Sequence, residues 1–295
     1  MPVTLYTHQA ANIRKTWFLM IGFFVVVIAL GWLFSQVWGN PVILYVAVII
    51  AVLMNFFSYW SSDKIVIKMT GARPASRAEF FDLWNAVENL AITAGLPMPK
   101  VYVVDDPAPN AFATGRDERH AVIAATTGLL QLLDQSELEG VVAHELSHIG
   151  NRDMLVSTVA VVLVGFVAIL SDIFLRSRFY GFHSRGGRNN RAAGLLLLLA
   201  LVAAILAPIA ATLIQLAISR KREFLADASA ALLTRYPEGL ANALRKISAR
   251  GAPLRRASNA TAHLFIANPF GGRGGLTKLF MTHPPMEERI RALLA

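Results

Sequence analysis

The segment VVAHELSHIGNRD (141–153) contains two histidines four positions apart, His144 and His148, with a glutamate directly after the first. On a helix, positions four apart project from one face, so the two imidazoles can close on a single metal ion. Glu145 lies about 100° further round such a helix, close to the ion without having to bind it. The spacing indicates zinc-dependent hydrolysis of a peptide bond, with Glu145 as the base that takes a proton from water.

A coincidental match is the alternative for this segment, which would then be an exposed helix carrying two histidines. From the histidine and glutamate content of this 295-residue chain, chance gives on the order of 0.006 matches to the pattern. The helix is also predicted independently, because Ser136 and Glu139 form a capping box ahead of an apolar stripe that ends at Gly150. These observations favour a functional helix.

A catalytic zinc site generally has three protein ligands and a fourth position for water, so a further ligand is required. The chain has no cysteine, which leaves histidine or a carboxylate. His148 precedes Met154, where a third apolar run begins, and Glu223 follows Ser219, where a fourth one ends. If these runs form an antiparallel hairpin, both residues lie near the same membrane face, and Glu223 is the predicted third ligand.

Asp227 lies four positions after Glu223 and falls on the same helical face. Its carboxylate can accept a hydrogen bond from the free ring N–H of a ligand histidine and so support the metal site from outside. The alternative is that KREF (221–224) is a charged segment at a membrane interface. That explains its basic residues but leaves the acidic pair with spacing four unexplained.

Composition indicates a membrane protein, because the chain is 55% apolar and 16% charged, whereas soluble domains are about 25% charged. Thr16–Trp38 and Pro41–Trp60 are uncharged and long enough for the roughly 20 residues of a spanning helix. A signal peptide is the alternative for the first, but its apolar part exceeds the roughly 7–15 residues of such a leader. Met154–Ser171 and Ala192–Ser219 predict a second hairpin, with buried core helices as the alternative.

Basic residues around these runs predict the orientation. Arg14 and Lys15 precede the first run, and Lys64 and Lys68 follow the second, so the positive-inside rule places both flanks in the cytoplasm. The five arginines of the link at 176–191 oppose this, since a fully spanning second hairpin would put them outside. That hairpin either spans against the rule or sits shallowly against protein. In both cases the chain returns to its starting side, with the site facing the cytoplasm from the inner membrane.

The chain therefore divides into four expected segments. Residues 1–60 hold an N-terminal tail and the first hairpin, 61–153 a cytoplasmic part with the histidine pair, 154–219 the second hairpin with its arginine-rich link, and 220–295 a cytoplasmic part with the third ligand. The predicted fold class is a mainly α membrane protein with two transmembrane helical hairpins and a cytoplasmic α+β domain containing a small β-sheet.

Short strands are predicted at KVYVV (100–104) and HAVIAAT (120–126), with NAFATG (110–115) as a third between turn-forming residues. An extended substrate can add to the edge of such a sheet, because strand addition satisfies backbone groups without demanding a particular sequence. We therefore expect substrate contacts at Asn110, Ala111, Phe112 and Ala113.

His283, in the segment THPP, is a second candidate for the chemistry. Negative charge that develops on a tetrahedral intermediate needs hydrogen-bond donors, which this imidazole can supply. Capping of the C-terminal helix, predicted to start near Pro285, is the alternative role.

HELSHIGNRD with REFLADASA, two apolar hairpins, NAFATG and THPPMEERI resemble the HtpX membrane zinc endopeptidases, relatives of the CAAX prenyl proteases. The resemblance covers nearly the whole chain and implies a gluzincin-like protease domain. It also implies one zinc ion per chain bound by His144, His148 and Glu223, with Glu145 as catalytic base and Asp227 as support. Membrane-protein quality control under stress is the implied role, with misfolded membrane proteins as polypeptide substrates and cooperation with ATP-dependent membrane proteases.

Other classes of function are less compatible with the sequence. HSRGGRNNR (183–191) lacks interleaved aromatics and lies between apolar runs, so nucleic-acid binding is not expected, and the lipid bilayer is the expected partner of the basic residues. Two alternatives stay open: a non-catalytic membrane scaffold with a structural metal, and a protease that processes one lipidated or membrane partner. A fourth protein ligand would favour the scaffold.

Overall fold

The structure is a computed structural model that describes residues 5–166, 220–271 and 284–295. The described part is mostly helical, with one small sheet. The α-helices in chain order are α1 Leu5–Trp38, α2 Val42–Trp60, α3 Ser62–Thr70, α4 Phe81–Ala94, α5 Thr127–Leu132, α6 Gln135–Gly150, α7 Asp153–Phe166, α8 Arg220–Thr234, α9 Pro237–Arg250 and α10 Met286–Leu293.

Helices α1 and α2 form an antiparallel pair that is long and apolar enough to cross a membrane. The turn between them contains Gly39 at φ 61°, a left-handed conformation that glycine adopts without steric cost. Close packing also requires Gly31, since a Cβ there would lie 2.2 Å from the Cβ of Ala47. Both helices of the first predicted hairpin are therefore present, although α1 begins earlier than Thr16 and carries Arg14 and Lys15 within the helix.

Helix α7 contains the start of the third apolar run. It follows α6 after a bend of 83°. Most of its side chains are buried in the protein, whereas only Ala51 and Ser58 of α2 are buried. Helix α7 shares a buried apolar cluster with Leu19 and Phe23 of α1, and the rings of Phe23 and Phe166 pack edge-on with centroids 5.8 Å apart. Several α7 side chains are completely inaccessible: Val156, Val159, Ala160, Val161 and Leu163. The remainder of the predicted second hairpin and the arginine-rich link lie outside the described residues.

The sheet has four strands: β1 Arg73–Pro74, β2 Lys100–Val104, β3 Ala111–Thr114 and β4 Val122–Thr126. Their order is β1-β2-β4-β3, with β2 and β4 parallel and the other pairs antiparallel. The three predicted strands are thus confirmed within two residues, and the sheet is mixed. Strand β3 lies at one edge, next to α6.

The start of α6 corrects the predicted capping box. Asp134, and not Ser136, is the N-cap: its side chain accepts from the Glu137 N–H at 3.0 Å, and Glu137 returns the contact to the Asp134 N–H at 2.9 Å. The helix begins two residues earlier than predicted, because Asp134 is itself a strong capping residue with a glutamate three positions later.

Helix α6 lies at the centre of the part of the protein outside the α1–α2 pair, against α4, α8 and α9. Gly140 permits the close approach of α9, since a Cβ there would lie 2.6 Å from the Leu240 backbone nitrogen. Most side chains of α6 are buried, including those of His144 and Glu145. The predicted functional helix is therefore held by packing on several sides.

Candidate metal centre

The two histidines of α6 face each other one helical turn apart. His144 Nε2 and His148 Nε2 are separated by 3.2 Å, and the rings are perpendicular, with centroids 4.7 Å apart. Two nitrogen lone pairs that converge in a buried position do not stabilise each other. They can, however, both bind a cation placed between them.

Glu223 reaches the same point from the first turn of α8. One carboxylate oxygen lies 3.8 Å from His144 Nε2 and the other lies 3.6 Å from His148 Nε2. Tetrahedral zinc, with bonds of about 2.0–2.2 Å, separates its ligand atoms by roughly 3.3–3.6 Å. Since the candidate ligand atoms all lie within 4.8 Å of one another, the residues present fit such an ion.

A carboxylate lies behind each histidine. Asp227 Oδ1 is 2.9 Å from Nδ1 of His144, and Asp153 Oδ2 is 3.2 Å from Nδ1 of His148. A carboxylate that accepts from Nδ1–H fixes the ring and leaves Nε2 as the electron-pair donor, which is a common arrangement around metal-binding histidines. Both rings are therefore oriented toward the shared point.

Sequence reasoning identified Asp227 and missed Asp153. Asp227 follows from its spacing of four from Glu223. Asp153 comes five residues after His148, a spacing that places two side chains on different faces of a straight helix. Only the bend between α6 and α7 brings its carboxylate back to His148, and the sequence carries no clear signal for a bend of 83°.

Arg289 on α10 was also missed. Its guanidinium is completely buried, donates to Asp227 through Nε at 2.8 Å and through Nη2 at 2.7 Å, and lies 3.4 Å from the ring of His144. Nη1 is 3.8 Å from the Glu223 carboxylate. The available signal is helical spacing: Arg289 lies three positions after Met286 and four before Leu293, on the face of α10 that packs against the core, whereas Arg291 is exposed.

Electrostatics differ at the two histidines. Burial and the Arg289 charge lower the pKa of His144 to about 4, against the Asp227 contact. Burial also opposes protonation of His148, but the Asp153 hydrogen bond and the Glu223 charge outweigh it and raise its pKa to about 9. Without a metal, the positive charge of the pair therefore resides on His148.

Glu145 is buried beside the histidine pair. Burial and the Glu223 charge raise the pKa of this carboxyl to about 7, against the charges of His148 and Arg289 and a hydrogen bond from the Ala113 backbone. A carboxyl that titrates near neutrality is suited to accepting and returning a proton. The Ala113 contact also shows that edge strand β3 lies directly against this side chain.

The predicted substrate-binding residues have contacts within the protein. The Asn110 side chain donates to the Ala267 carbonyl at 3.0 Å and accepts from the Ala267 N–H at 3.2 Å. Phe112 packs edge-on against Phe265. The Ala111 carbonyl accepts from the Ile266 N–H at 3.0 Å. These residues fasten β3 to the segment at 265–267, and their predicted contact with substrate stays a prediction, as does the role of His283, which lies outside the described residues.

Residues 77–295 match the profile of peptidase family M48. The chain is 48% identical over 294 residues to a protein named "Protease HtpX homolog" from Caldanaerobacter subterraneus, covering 98% of this chain and 97% of the relative. It is 49% identical over 296 residues to a protein of the same name from Dictyoglomus thermophilum, covering 99% and 95%.

A solved structure has a similar fold. The crystal structure of S. mikatae Ste24p superposes with a TM-score of 0.51 at 19% sequence identity, covering 98% of this chain and 67% of that one. At this identity the similarity concerns the fold alone.

Proposed function

Since this chain belongs to peptidase family M48 and is a membrane-bound metalloendopeptidase, we propose that it binds one zinc ion through His144, His148 and Glu223. The observation that carries the proposal is the convergence of two imidazole nitrogens and one carboxylate within 4.8 Å. Two nitrogens and one oxygen form a ligand set that zinc peptidases use, and they leave a position for water.

Glu145 is the proposed catalytic base. Zinc, when bound, lowers the pKa of water and polarises a carbonyl. Glu145 takes one proton from the attacking water and passes it to the leaving nitrogen as the peptide bond breaks. In the metal-free protein the pKa of this carboxyl is about 7, and the charge of a bound cation favours the ionised form that takes the proton.

The substrate is proposed to lie along the outer side of β3. The Ala111 carbonyl binds Ile266 and the Ala113 backbone contacts Glu145, so the backbone groups of these two alanines point away from β4. Addition of an extended peptide would then start at Ala113, next to the base. Asn110 and Phe112 contribute by holding the strand in place.

The substrates of a protease are polypeptides, and we propose that they are mainly misfolded or damaged membrane proteins. The metal centre lies beside α1 and α7, since Asp153 at the start of α7 contacts both His148 and Asn12 of α1. This position next to a candidate membrane helix supports membrane proteins as substrates. Cooperation with ATP-dependent membrane proteases belongs to the same proposal. Basic residues flanking the spans support an inner-membrane location with the site facing the cytoplasm. The division at residues 60, 153 and 219 and the gluzincin-like character of the protease part are proposed with it.

The scaffold alternative requires a structural metal, which normally has four protein ligands. Among the described residues, the group that can hold a metal has three members, and Asp153 and Asp227 contact Nδ1 atoms on the far sides of the rings. A set of three ligands favours a catalytic zinc site over the structural zinc of a scaffold.

Metal removal tests the proposal. We expect a chelator to abolish cleavage of an unfolded casein-like substrate and one equivalent of zinc per chain to restore it. Full cleavage by protein shown to contain no metal would contradict the proposal.

A further inference from the structure

Asp153 has three partners that belong to different parts of the chain. One oxygen, Oδ2, faces His148 Nδ1 at 3.2 Å. The other, Oδ1, accepts from Asn12 Nδ2 at 2.7 Å and lies 3.4 Å from Arg222 Nη1. The shortest of these contacts is the one to Asn12, which belongs to the first membrane helix and is 141 positions away.

Asn12 is buried, and its side-chain amide donates twice. Besides the bond to Asp153, Nδ2 donates to the Asn151 carbonyl at 3.0 Å. A primary amide has two N–H groups, so both are accounted for. An amide at the end of a membrane span is costly unless its polar groups are paired, and here it pairs with the bend that follows the metal-binding helix.

The bend itself has an unusual backbone. Arg152 has φ 56°, in the left-handed region that residues other than glycine seldom occupy. Such a conformation persists only where surrounding contacts hold it. Asn12 contacts the residue on each side, Asn151 through its carbonyl and Asp153 through its carboxylate. Asn12 therefore holds this turn in the conformation that places the Asp153 carboxylate beside Nδ1 of His148.

We propose that Asn12 is a positioning residue of the metal centre, acting through Asp153 on His148. The first membrane helix then has a role beyond anchoring, because it completes the hydrogen-bonded support of a zinc ligand. This inference rests on the proposed zinc site. It predicts that metal affinity depends on a side chain that contacts neither the metal nor a ligand.

Zinc affinity measured by chelator competition on the purified full-length protein tests the idea. Asn12→Leu should weaken zinc binding measurably, but by no more than the roughly 10–100-fold that follows loss of a ligand's own hydrogen-bond partner. The absorption spectrum of the Co²⁺-substituted protein should also change, because it reports ligand geometry. Asn55→Leu is the matched control: this asparagine lies in α2 and donates to the Ala51 carbonyl of its own helix. It should bind zinc as the wild type does.

A double variant separates positioning from general destabilisation. Asp153→Ala alone should weaken zinc binding, and Asn12→Leu added to it should change the affinity little further, because the carboxylate through which Asn12 acts is already absent. Independent, multiplicative losses would overturn the proposal, as would wild-type affinity in Asn12→Leu or an equal loss in Asn55→Leu. Asn12→Ala, which adds no bulk, decides the question should the leucine variant fail to fold.

The same assay distinguishes this inference from the site on which it rests. Glu223→Ala should lose zinc almost completely. If it does and Asn12→Leu does not, only the role of Asn12 fails. If Glu223→Ala retains zinc, the proposed metal site itself is wrong.

Discussion

Arg289 and Asp227 form a buried ion pair through two parallel hydrogen bonds of 2.8 and 2.7 Å. The same aspartate also faces Nδ1 of His144 at 2.9 Å. Burial raises the pKa of Asp227, but the bonds to Arg289 and His144 outweigh it and hold the pKa at about 2. The C-terminal helix therefore contributes directly to the support of a candidate zinc ligand.

Loss of Arg289 should destabilise the protein strongly. Arg289→Met leaves Asp227 buried without its main counter-charge, and breaking one side of a buried pair costs about 3–5 kcal/mol. Arg289→Lys keeps the charge but cannot form both parallel bonds, so a smaller loss is expected. Thermal unfolding of the metal-free protein measures both. Arg291→Met, on the exposed side of the same helix, is the control, and equal unfolding temperatures for the two methionine variants would contradict the role of the pair.

Asp227 and Glu223 should differ in their effect on metal binding. If Asp227 supports His144 from behind, Asp227→Asn should weaken zinc affinity by no more than about 10–100-fold. Glu223→Ala removes a direct ligand and should do much more. Chelator competition at fixed pH ranks the two. Equal losses would show that Asp227 is itself a ligand and would favour a structural zinc.

Glu145→Gln should separate metal binding from catalysis. The amide keeps the size of the side chain but cannot take the proton from water, so zinc content should stay at one per chain while cleavage of unfolded casein falls by about 10²–10⁴-fold. Cleavage near the wild-type rate would refute the base role. Loss of zinc in this variant would instead indicate that Glu145 binds the metal.

The orientation in the membrane can be tested with single cysteines, because the chain has none of its own. Asn89 is exposed on α4, on the proposed cytoplasmic side, and Asn40 is exposed in the turn between α1 and α2. In cells whose inner membrane is intact and whose outer envelope is permeable, an impermeant maleimide should label Asn40→Cys but not Asn89→Cys. Opening the inner membrane should make both reactive. Labelling of Asn89→Cys alone from outside would reverse the proposed topology.

The parts of the site that the sequence predicted are those that depend on short spacing or on hairpin geometry. His144 and His148 share a face because they are four positions apart. Glu223 was predicted from the expectation that the intervening apolar runs form an antiparallel hairpin, and in the structure the first turn of α8 places it beside them. Asp153, Arg289 and Asn12 could not be found in this way. Each of these three residues reaches the site through a bend or through a contact between distant segments. Neither the direction of a bend nor the partner of a distant contact can be predicted from short spacing in the sequence.

The same distinction holds for the fold. Strands β2 to β4 were predicted from runs of apolar and β-branched residues between turns. The burial of α7 was predicted only as the alternative to a membrane span, because an uncharged run has the same composition whether it faces lipid or the protein interior. The start of α6 was predicted two residues too late because two capping-box patterns overlap here. Asp134 with Glu137 forms the observed box, and Ser136 with Glu139 was the predicted one.

Anomalous diffraction at the zinc edge from crystals of the Glu145→Gln protein locates the metal and its ligands in one measurement. We expect a single peak about 2.0–2.2 Å from one atom each of His144, His148 and Glu223, with Asp227, Asp153 and residue 145 outside bonding distance. A peak bonded to Asp227 or Asp153, or zinc located away from the two histidines, would contradict the proposed zinc site.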